Sequence, residues 1–269
     1  MSGIDFDEAF AKANHLRNNA ATKEAVAIYD DIATLSLEEQ NQQRAAQALY
    51  LAGVTLKSTI GQGQQSKFRA ATNYLSRAYA LFVTENDVAS QGAVLRDIAI
   101  AADRVGKYTI ALESFQRSIE LLSATEEVGQ LAITYDKLGL HFTRQGQPDQ
   151  ALPFINKALE LLRQEPTSGF FWATSLLDRA STNFVAKKYD AALEDCQESL
   201  SWFEADHSGE KYGLRRAQCS ALLGMIYQQL GDEKQARTYT NQSNRLLKSF
   251  DSDVAATLSA DLQALASQL

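Results

Sequence analysis

The side chains that most often carry catalytic or metal chemistry are few in this chain and lie far apart. Its three histidines, His15, His141 and His207, have no second histidine or cysteine three or four residues away, the spacing that places two metal ligands on one helical face. The GxSxG, HExxH and Walker motifs are absent from the sequence. Residues 61–67 contain two glycines without the rest of a phosphate-binding motif, so they are predicted to form a loop. The residue types therefore predict no catalytic residue, no metal site and no cofactor.

Composition and charge narrow the class of protein further. The chain has 269 residues, of which 45% are apolar and 22% charged, as in ordinary folded proteins. Its 26 basic and 33 acidic residues give a net charge of −7, whereas nucleic-acid binding depends on clustered cations. Residues 1–10 are acidic where a signal peptide is basic, and no apolar run approaches the roughly 18–20 residues that span a bilayer. We expect a cytoplasmic protein that binds no nucleic acid and inserts into no membrane.

The two cysteines, Cys196 and Cys219, form no CxxC or Cys/His ligand pattern. Because a free cysteine behaves as a small apolar residue, buried reduced thiols are expected. A disulfide between the two is the alternative if their helices are neighbours.

The chain repeats itself at a period of roughly 40 residues. Residues 111–122 (ALESFQRSIELL) realign with residues 151–162 (ALPFINKALELL), and residues 192–200 (ALEDCQESL) are a third copy. Each copy reads as a pair of helices, because its apolar residues recur at helical spacing. An alanine marks the same offset in six copies: Ala25, Ala71, Ala111, Ala151, Ala192 and Ala236.

One repeat resembles the tetratricopeptide repeat signature, through Tyr135, Leu138, Gly139, Phe142, Gly146, Ala151, Ile155 and Ala158. A later set is similar: Leu223, Gly224, Tyr227, Gly231 and Ala236. With its long period, the chain is similar to the long-repeat subgroup of that family. The resemblance implies an all-α fold, a right-handed superhelical solenoid of about six antiparallel helix pairs over residues 6–250, after a short tail at residues 1–5. We call the two helices of each repeat its first and its second helix.

An apolar stripe at helical spacing also follows the repeats, in Val254, Leu258, Leu262, Leu265 and Leu269. We expect residues 251–269 to form a C-terminal capping helix over the last repeat. The alternatives are that this helix pairs with a second copy to make a homo-oligomer, or that it folds into the groove.

The resemblance also implies that the first helices line a concave, partner-binding face. Recurrent cations on that face favour an acidic or carboxylate-bearing segment as the ligand. The implied partner-binding residues are Asn14, Arg17, Tyr50, Lys57, Arg96, Asp103, Arg104, Asp136, Thr143, Arg144 and Gln228.

A second candidate surface is the run of three aromatic residues Phe170, Phe171 and Trp172. Three consecutive side chains cannot all point into one helix seam. Two packed rings with one near the surface is the first interpretation, and an exposed anchor for a partner is the second.

The sequence therefore predicts a non-catalytic protein–protein interaction scaffold that binds a peptide or helical segment of a partner on its concave face. Two alternatives stay open. One is a peptide-responsive regulatory protein that switches superhelix conformation, and the other is a structural subunit of a larger assembly.

Overall fold

The computed structural model describes residues 5–19, 21–61, 63–165, 168–205 and 212–250, together with Ala260 and Gln263. Across these residues the regular structure is entirely α-helical, which confirms the predicted fold class. The predicted capping helix at residues 251–269 lies outside the described residues apart from those two positions, as does His207. The helices are α1 (Phe6–Asn18), α2 (Thr22–Glu38), α3 (Gln42–Ser58), α4 (Gln65–Thr84), α5 (Val88–Arg104), α6 (Tyr108–Ser123), α7 (Val128–Arg144), α8 (Pro148–Leu162), α9 (Gly169–Val185), α10 (Tyr189–Glu204), α11 (Gly213–Gln229) and α12 (Glu233–Leu247).

The odd-numbered helices are the first helices of the repeats, and the even-numbered helices are the second. The chain divides into two compact units, residues 1–134 (unit 1) and residues 135–269 (unit 2). In unit 1 consecutive helices pack against each other from α1 through α6, and in unit 2 the same holds from α8 through α12. This pattern of contacts is that of a helical-repeat solenoid, in which each element touches its sequence neighbours. In the described part of the chain, the helices are too short or too polar to cross a membrane.

The turn between the two helices of a pair requires a left-handed backbone position. In the fifth repeat Lys187 takes this conformation, with φ of 59°, and the next amide N–H, of Lys188, closes the helix end by donating to the Asn183 carbonyl at 2.9 Å. A lysine there accepts a strain that glycine avoids. The corresponding turns of the third, fourth and sixth repeats use Gly106, Gly146 and Gly231.

Small residues set the distance between paired helices. A Cβ atom added to Gly139 of α7 would stand 2.4 Å from Ile155 Cγ1 and 3.1 Å from the Ala151 carbonyl oxygen, both on α8. In unit 1, a Cβ at Gly92 of α5 would stand 2.6 Å from Leu122 Cγ on α6. The recurring glycine of the first helix therefore lets the second helix approach closely. The anchoring alanines of the second helices are fully buried in the first five repeats: Ala25, Ala71, Ala111, Ala151 and Ala192.

We predict that Gly139→Ala destabilises the protein by about 1–3 kcal/mol, because the new methyl group overpacks the contact with α8. Gly129→Ala is the matched control in the same helix, since a Cβ there meets no atom of the described residues within 4 Å. The control should be neutral or stabilise by up to about 1 kcal/mol, as alanine favours the helix. Urea unfolding followed by circular dichroism measures both changes. Equal effects at the two positions would contradict close packing at Gly139.

Candidate functional site

Within each unit, first helices of neighbouring repeats contact one another: α3 contacts α5 in unit 1, and α9 contacts α11 in unit 2. We call the predicted partner-binding positions on the first helices of all repeats the first-helix face. Polar side chains of this face meet across repeats, and they do so in two clusters, one in each unit.

The cluster in unit 1 is built around a carboxylate that the sequence analysis did not select, Asp97 of α5. The Tyr50 hydroxyl of α3 donates to Asp97 Oδ2 at 2.7 Å, and Lys57 Nζ of α3 forms an ion pair with Oδ1. Arg96 Nη2 lies 3.5 Å from Oδ2, and Arg96 Nη1 donates to the Gln130 side chain of α7. These five residues form the Asp97 cluster. Asp97 and Arg96 are only 3% and 7% exposed, so the cluster is part of the interior beneath the face.

The Asp97 cluster is held in one protonation state by its own charges. Burial opposes ionisation of Asp97, but the neighbouring Lys57 and Arg96 outweigh it and hold the pKa of Asp97 below its ordinary value. Burial lowers the pKa of Lys57, and the Asp97 carboxylate acts against that shift. Burial and the same carboxylate raise the pKa of Tyr50, so its hydroxyl remains a protonated donor. With two cations and one carboxylate, the cluster carries one net positive charge.

Some of the predicted cations of the first-helix face bind acceptors within the protein itself. Lys57 and Arg96 are paired with Asp97, and Arg104 Nη1 donates to the Ile60 carbonyl at 3.1 Å. Asp97 was not predicted because the offsets of the tetratricopeptide repeat signature point to Arg96, the preceding residue of the helix. A usable signal was present, since Lys57 and Asp97 have opposite charges and lie 40 residues apart, one repeat period.

The cluster in unit 2 contains more carboxylates than cations, the reverse of the Asp97 cluster. Lys137 Nζ of α7 donates to Asp136 Oδ2 at 2.7 Å and to Asp178 Oδ2 of α9 at 2.8 Å. These three residues form the Asp136 cluster, of which the sequence analysis selected only Asp136. Lys137 and Asp178 are also one repeat apart, at 41 residues. Two carboxylates share one ammonium group here, with the positive charge of Arg215 acting on Asp178 from α11.

Asp136 is the exceptional member of its cluster. It is 2% exposed, and its Oδ1 atom accepts no hydrogen bond from any residue that the structure describes. Burial raises the pKa of Asp136 to about 7; Lys137 opposes the shift and Asp178 adds to it. For Asp178, burial is outweighed by Lys137 and Arg215, and its pKa is lowered. The proton of this carboxyl pair therefore lies on Asp136 and leaves near neutral pH.

The remaining predicted positions are more varied in their surroundings. Thr143 of α7 is buried, and its hydroxyl lies 2.7 Å from that of Thr182 on α9. Asn14 accepts a hydrogen bond from the Tyr29 hydroxyl at 2.7 Å. Asp103 is buried and Arg17 half-buried, whereas Arg144 and Gln228 are exposed. The structure thus brings some predicted residues into two clusters and leaves others apart.

The aromatic run divides between the core and the surface. The Phe170 ring packs against Tyr212 and Phe203, with ring centroids 5.5 and 6.1 Å apart, and Trp172 is partly buried against the unit 2 core. Phe171 is 43% exposed and meets only the edge of Phe170 among the ring contacts of the described residues. Two rings therefore pack and one lies at the surface, as the first interpretation expects. Whether Phe171 anchors a partner stays a prediction.

No group of three histidine, cysteine or acidic side chains within the described ranges is arranged to hold a metal ion. The polar chemistry that the structure does show is hydrogen bonding and ion pairing between neighbouring repeats.

We predict that stability falls between about pH 4 and pH 7 through Asp136, because the folded state holds its proton where the unfolded state has lost it. Asp136→Asn should remove this dependence, so its stability relative to wild type should rise by up to about 4 kcal/mol between pH 4 and pH 8. Asp178→Asn is the matched control, and it should destabilise at pH 8, because it removes a carboxylate whose charge Lys137 and Arg215 stabilise in the folded state. Urea unfolding at pH 4, 6 and 8 measures the three proteins. A constant difference between wild type and Asp136→Asn would contradict the raised pKa.

Comparison with sequence families places known repeats on this fold. Two family profiles described as tetratricopeptide repeat match the chain, one over residues 90–164 and one over residues 217–246. No curated protein sequence matches it.

Solved structures share the fold at low sequence identity. BtubC (BKLC) from P. vanneervenii superposes with a TM-score of 0.66 at 14% identity, covering 93% of this chain and 94% of its own. A Rap protein in complex with competence and sporulation factor gives a TM-score of 0.63 at 14% identity, covering 97% of this chain and 84% of its own. The tetratricopeptide repeat sensor protein PH0952 from Pyrococcus horikoshii, a signal transduction ATPase with numerous domains, gives 0.57 at 14% identity, covering 90% of this chain and 39% of its own.

The repeated alanine and glycine positions, the paired helices and the two matching profiles agree with one another. Tetratricopeptide repeats are identified over residues 90–164 and 217–246, and solved helical-repeat structures share the fold of the chain.

Proposed function

We propose that this protein is a non-catalytic interaction scaffold that binds a peptide or helical segment of a partner along its first-helix face. The observation that carries the proposal is the ordering of polar side chains on that face by contacts between successive repeats. Helical-repeat proteins bind extended partners on such surfaces, because stacked helices present side chains at regular intervals.

The Asp97 cluster explains how a binding surface could be fixed before the partner arrives. Lys57 uses one of its three ammonium donors on Asp97, and Arg96 has five donors of which two are directed to Gln130 and Asp97. Of the remaining donors, those of Lys57 are the more accessible to a carbonyl or carboxylate oxygen of a bound segment, because its side chain is 16% exposed against 9% for Arg96. Because their positions are already set by Asp97, binding would cost less side-chain entropy than on a face of free lysines and arginines.

The charge of the cluster bears on the class of ligand. Its net positive charge favours a segment that presents an acidic side chain or a carboxylate at this point. The positive charge that attracts an acidic ligand is smaller than the sequence alone suggested, because Asp97 already neutralises one of the two cations. Exposed Arg144 and half-buried Arg17 extend the positive character of the face in their own units.

The comparisons support a ligand-binding role without identifying a ligand. The Rap protein that shares this fold was solved with competence and sporulation factor bound, and PH0952 carries its repeats as a sensor. We carry over from them only the expectation that a repeat array of this size binds another molecule.

A photo-crosslinking experiment tests the face directly and does not depend on the sign of the ligand's charge. A benzophenone side chain is placed at Arg144 or Gln228, exposed positions of first helices α7 and α11, and the protein is irradiated in native lysate. We expect both positions to crosslink the same partner, and mass spectrometry should map the crosslinks to one continuous segment of it.

The matched controls carry the same label at Arg117 and Arg237, exposed positions of the second helices α6 and α12. These should give little or no crosslink to that partner. A partner captured mainly from the second-helix positions would show that the binding surface lies elsewhere, and the proposal would then be wrong.

A further inference from the structure

The two cysteines of the chain lie against each other in the core of unit 2, on helices of different repeats. Cys196 belongs to α10, the second helix of the fifth repeat, and Cys219 to α11, the first helix of the sixth. Both are fully buried free thiols. The Cys196 Sγ donates to the Cys219 carbonyl oxygen at 3.4 Å, and the two thiols are also within hydrogen-bonding reach of each other.

Their surroundings hold the two thiols in place. The Ser199 hydroxyl, one turn after Cys196, donates to the Ala173 carbonyl at 2.7 Å and lies 3.5 Å from Cys219 Sγ. Helices α10 and α11 pack directly against each other, so the two side chains face one another across a helix seam. A disulfide requires Cβ atoms about 3.5–4.5 Å apart, and side chains that face each other across a packed seam are the ones that can meet this requirement.

The two thiols differ in acidity, which gives them different chemical roles. Burial and the contact with Cys219 raise the pKa of the Cys196 thiol. The hydrogen bond from Cys196 lowers the pKa of Cys219, with smaller contributions from Ser199 and Arg215, against the effect of burial. Since the thiolate is the reactive form, the lower pKa favours Cys219 over Cys196 as the attacking thiol.

We propose that Cys196 and Cys219 are an oxidation site, at which a small hydroperoxide joins the fifth and sixth repeats through an intramolecular disulfide. This inference is independent of the proposed partner-binding function.

The reaction balances with one peroxide per pair. The Cys219 thiolate attacks one peroxide oxygen, the O–O bond breaks, and hydroxide leaves with the bonding electrons to be protonated to water. Cys219 is then a sulfenic acid. The Cys196 sulfur attacks the Cys219 sulfur, the S–O bond breaks, and a second water leaves with the thiol proton. The two sulfurs lose two electrons in total, and the peroxide is reduced to two waters.

The disulfide would have a structural consequence at the interface between the two repeats. It would tie α10 to α11 and close a loop through residues 197–218, restricting the unfolded chain. The other role that a buried pair can have is simple packing, in which both sulfurs serve as small apolar groups and never bond. These two roles give opposite results on oxidation.

Mild hydrogen peroxide treatment of the folded, fully reduced protein tests the proposal. We expect both thiols to disappear together when counted after denaturation, and the protein to become lighter by two hydrogen atoms, with no disulfide between separate molecules. Fragment mass spectrometry should show a peptide containing Cys196 linked to one containing Cys219. The midpoint of thermal unfolding should rise by about 6 °C or more, and dithiothreitol should reverse every change.

The single variants Cys196→Ser and Cys219→Ser are the controls, because the chain has two cysteines and each variant leaves one. Neither should gain thermal stability on oxidation. The fragment map on wild type needs no variant, so a variant that folds poorly leaves the test intact. Three outcomes would overturn the proposal. In the first, both thiols of the folded protein remain titratable after a peroxide treatment that oxidises the unfolded chain. In the second, one cysteine becomes a sulfinic acid and no linkage forms, and in the third, the disulfide joins separate molecules.

Discussion

A helix pair of this length cannot bury its own apolar stripe, and every other property of the molecule depends on that constraint. Burial requires the next pair to stack against it, and stacking at close range requires small residues at the contact. Inside a pair, Gly92 and Gly139 of first helices leave the space that Leu122 and Ile155 of second helices fill, and the second helices carry buried alanines as well. The repeated residues are therefore explained first by packing between helices, and only the polar positions of the first helices are left to bind a partner.

Stacking has a cost for the polar side chains of the first helices, because it removes them from water. A buried charge is tolerated only when another group compensates it. In unit 1 Asp97 is compensated by Lys57 and Arg96, and its carboxylate remains ionised. In unit 2 compensation is incomplete: Asp136 and Asp178 share Lys137, and Asp136 titrates near neutrality. The same packing constraint thus produces a stable ionic contact in one unit and a pH-sensitive one in the other.

The fold was predictable from the sequence because its determinants are local and repeated. Apolar residues at helical spacing, the recurring alanine and the left-handed turn positions are all visible along the chain, and the described helices follow them closely. The site was less predictable. Family offsets select single positions on one helix, such as Arg96 or Asp136, whereas compensation comes from a neighbouring helix. Asp97 and Asp178 were missed for this reason, although each lies one repeat period from its lysine. The sequence shows opposite charges one repeat period apart. Only the structure shows that these lysines and aspartates are in contact.

Ion pairs between successive first helices order the polar side chains of the first-helix face. A double-mutant cycle on Lys57 and Asp97 measures how strongly one such pair is coupled. The cycle uses Lys57→Met, Asp97→Asn and the double variant, with unfolding free energies measured in urea. The exposed pair of Arg77 and Asp30, separated by 3.6 Å, supplies the matched comparison. We expect a coupling energy of about 2 kcal/mol or more for Lys57 and Asp97, and less than about 1 kcal/mol for the exposed pair. A coupling at Lys57 and Asp97 no larger than that of the exposed pair would show that the ion pair does not order the face.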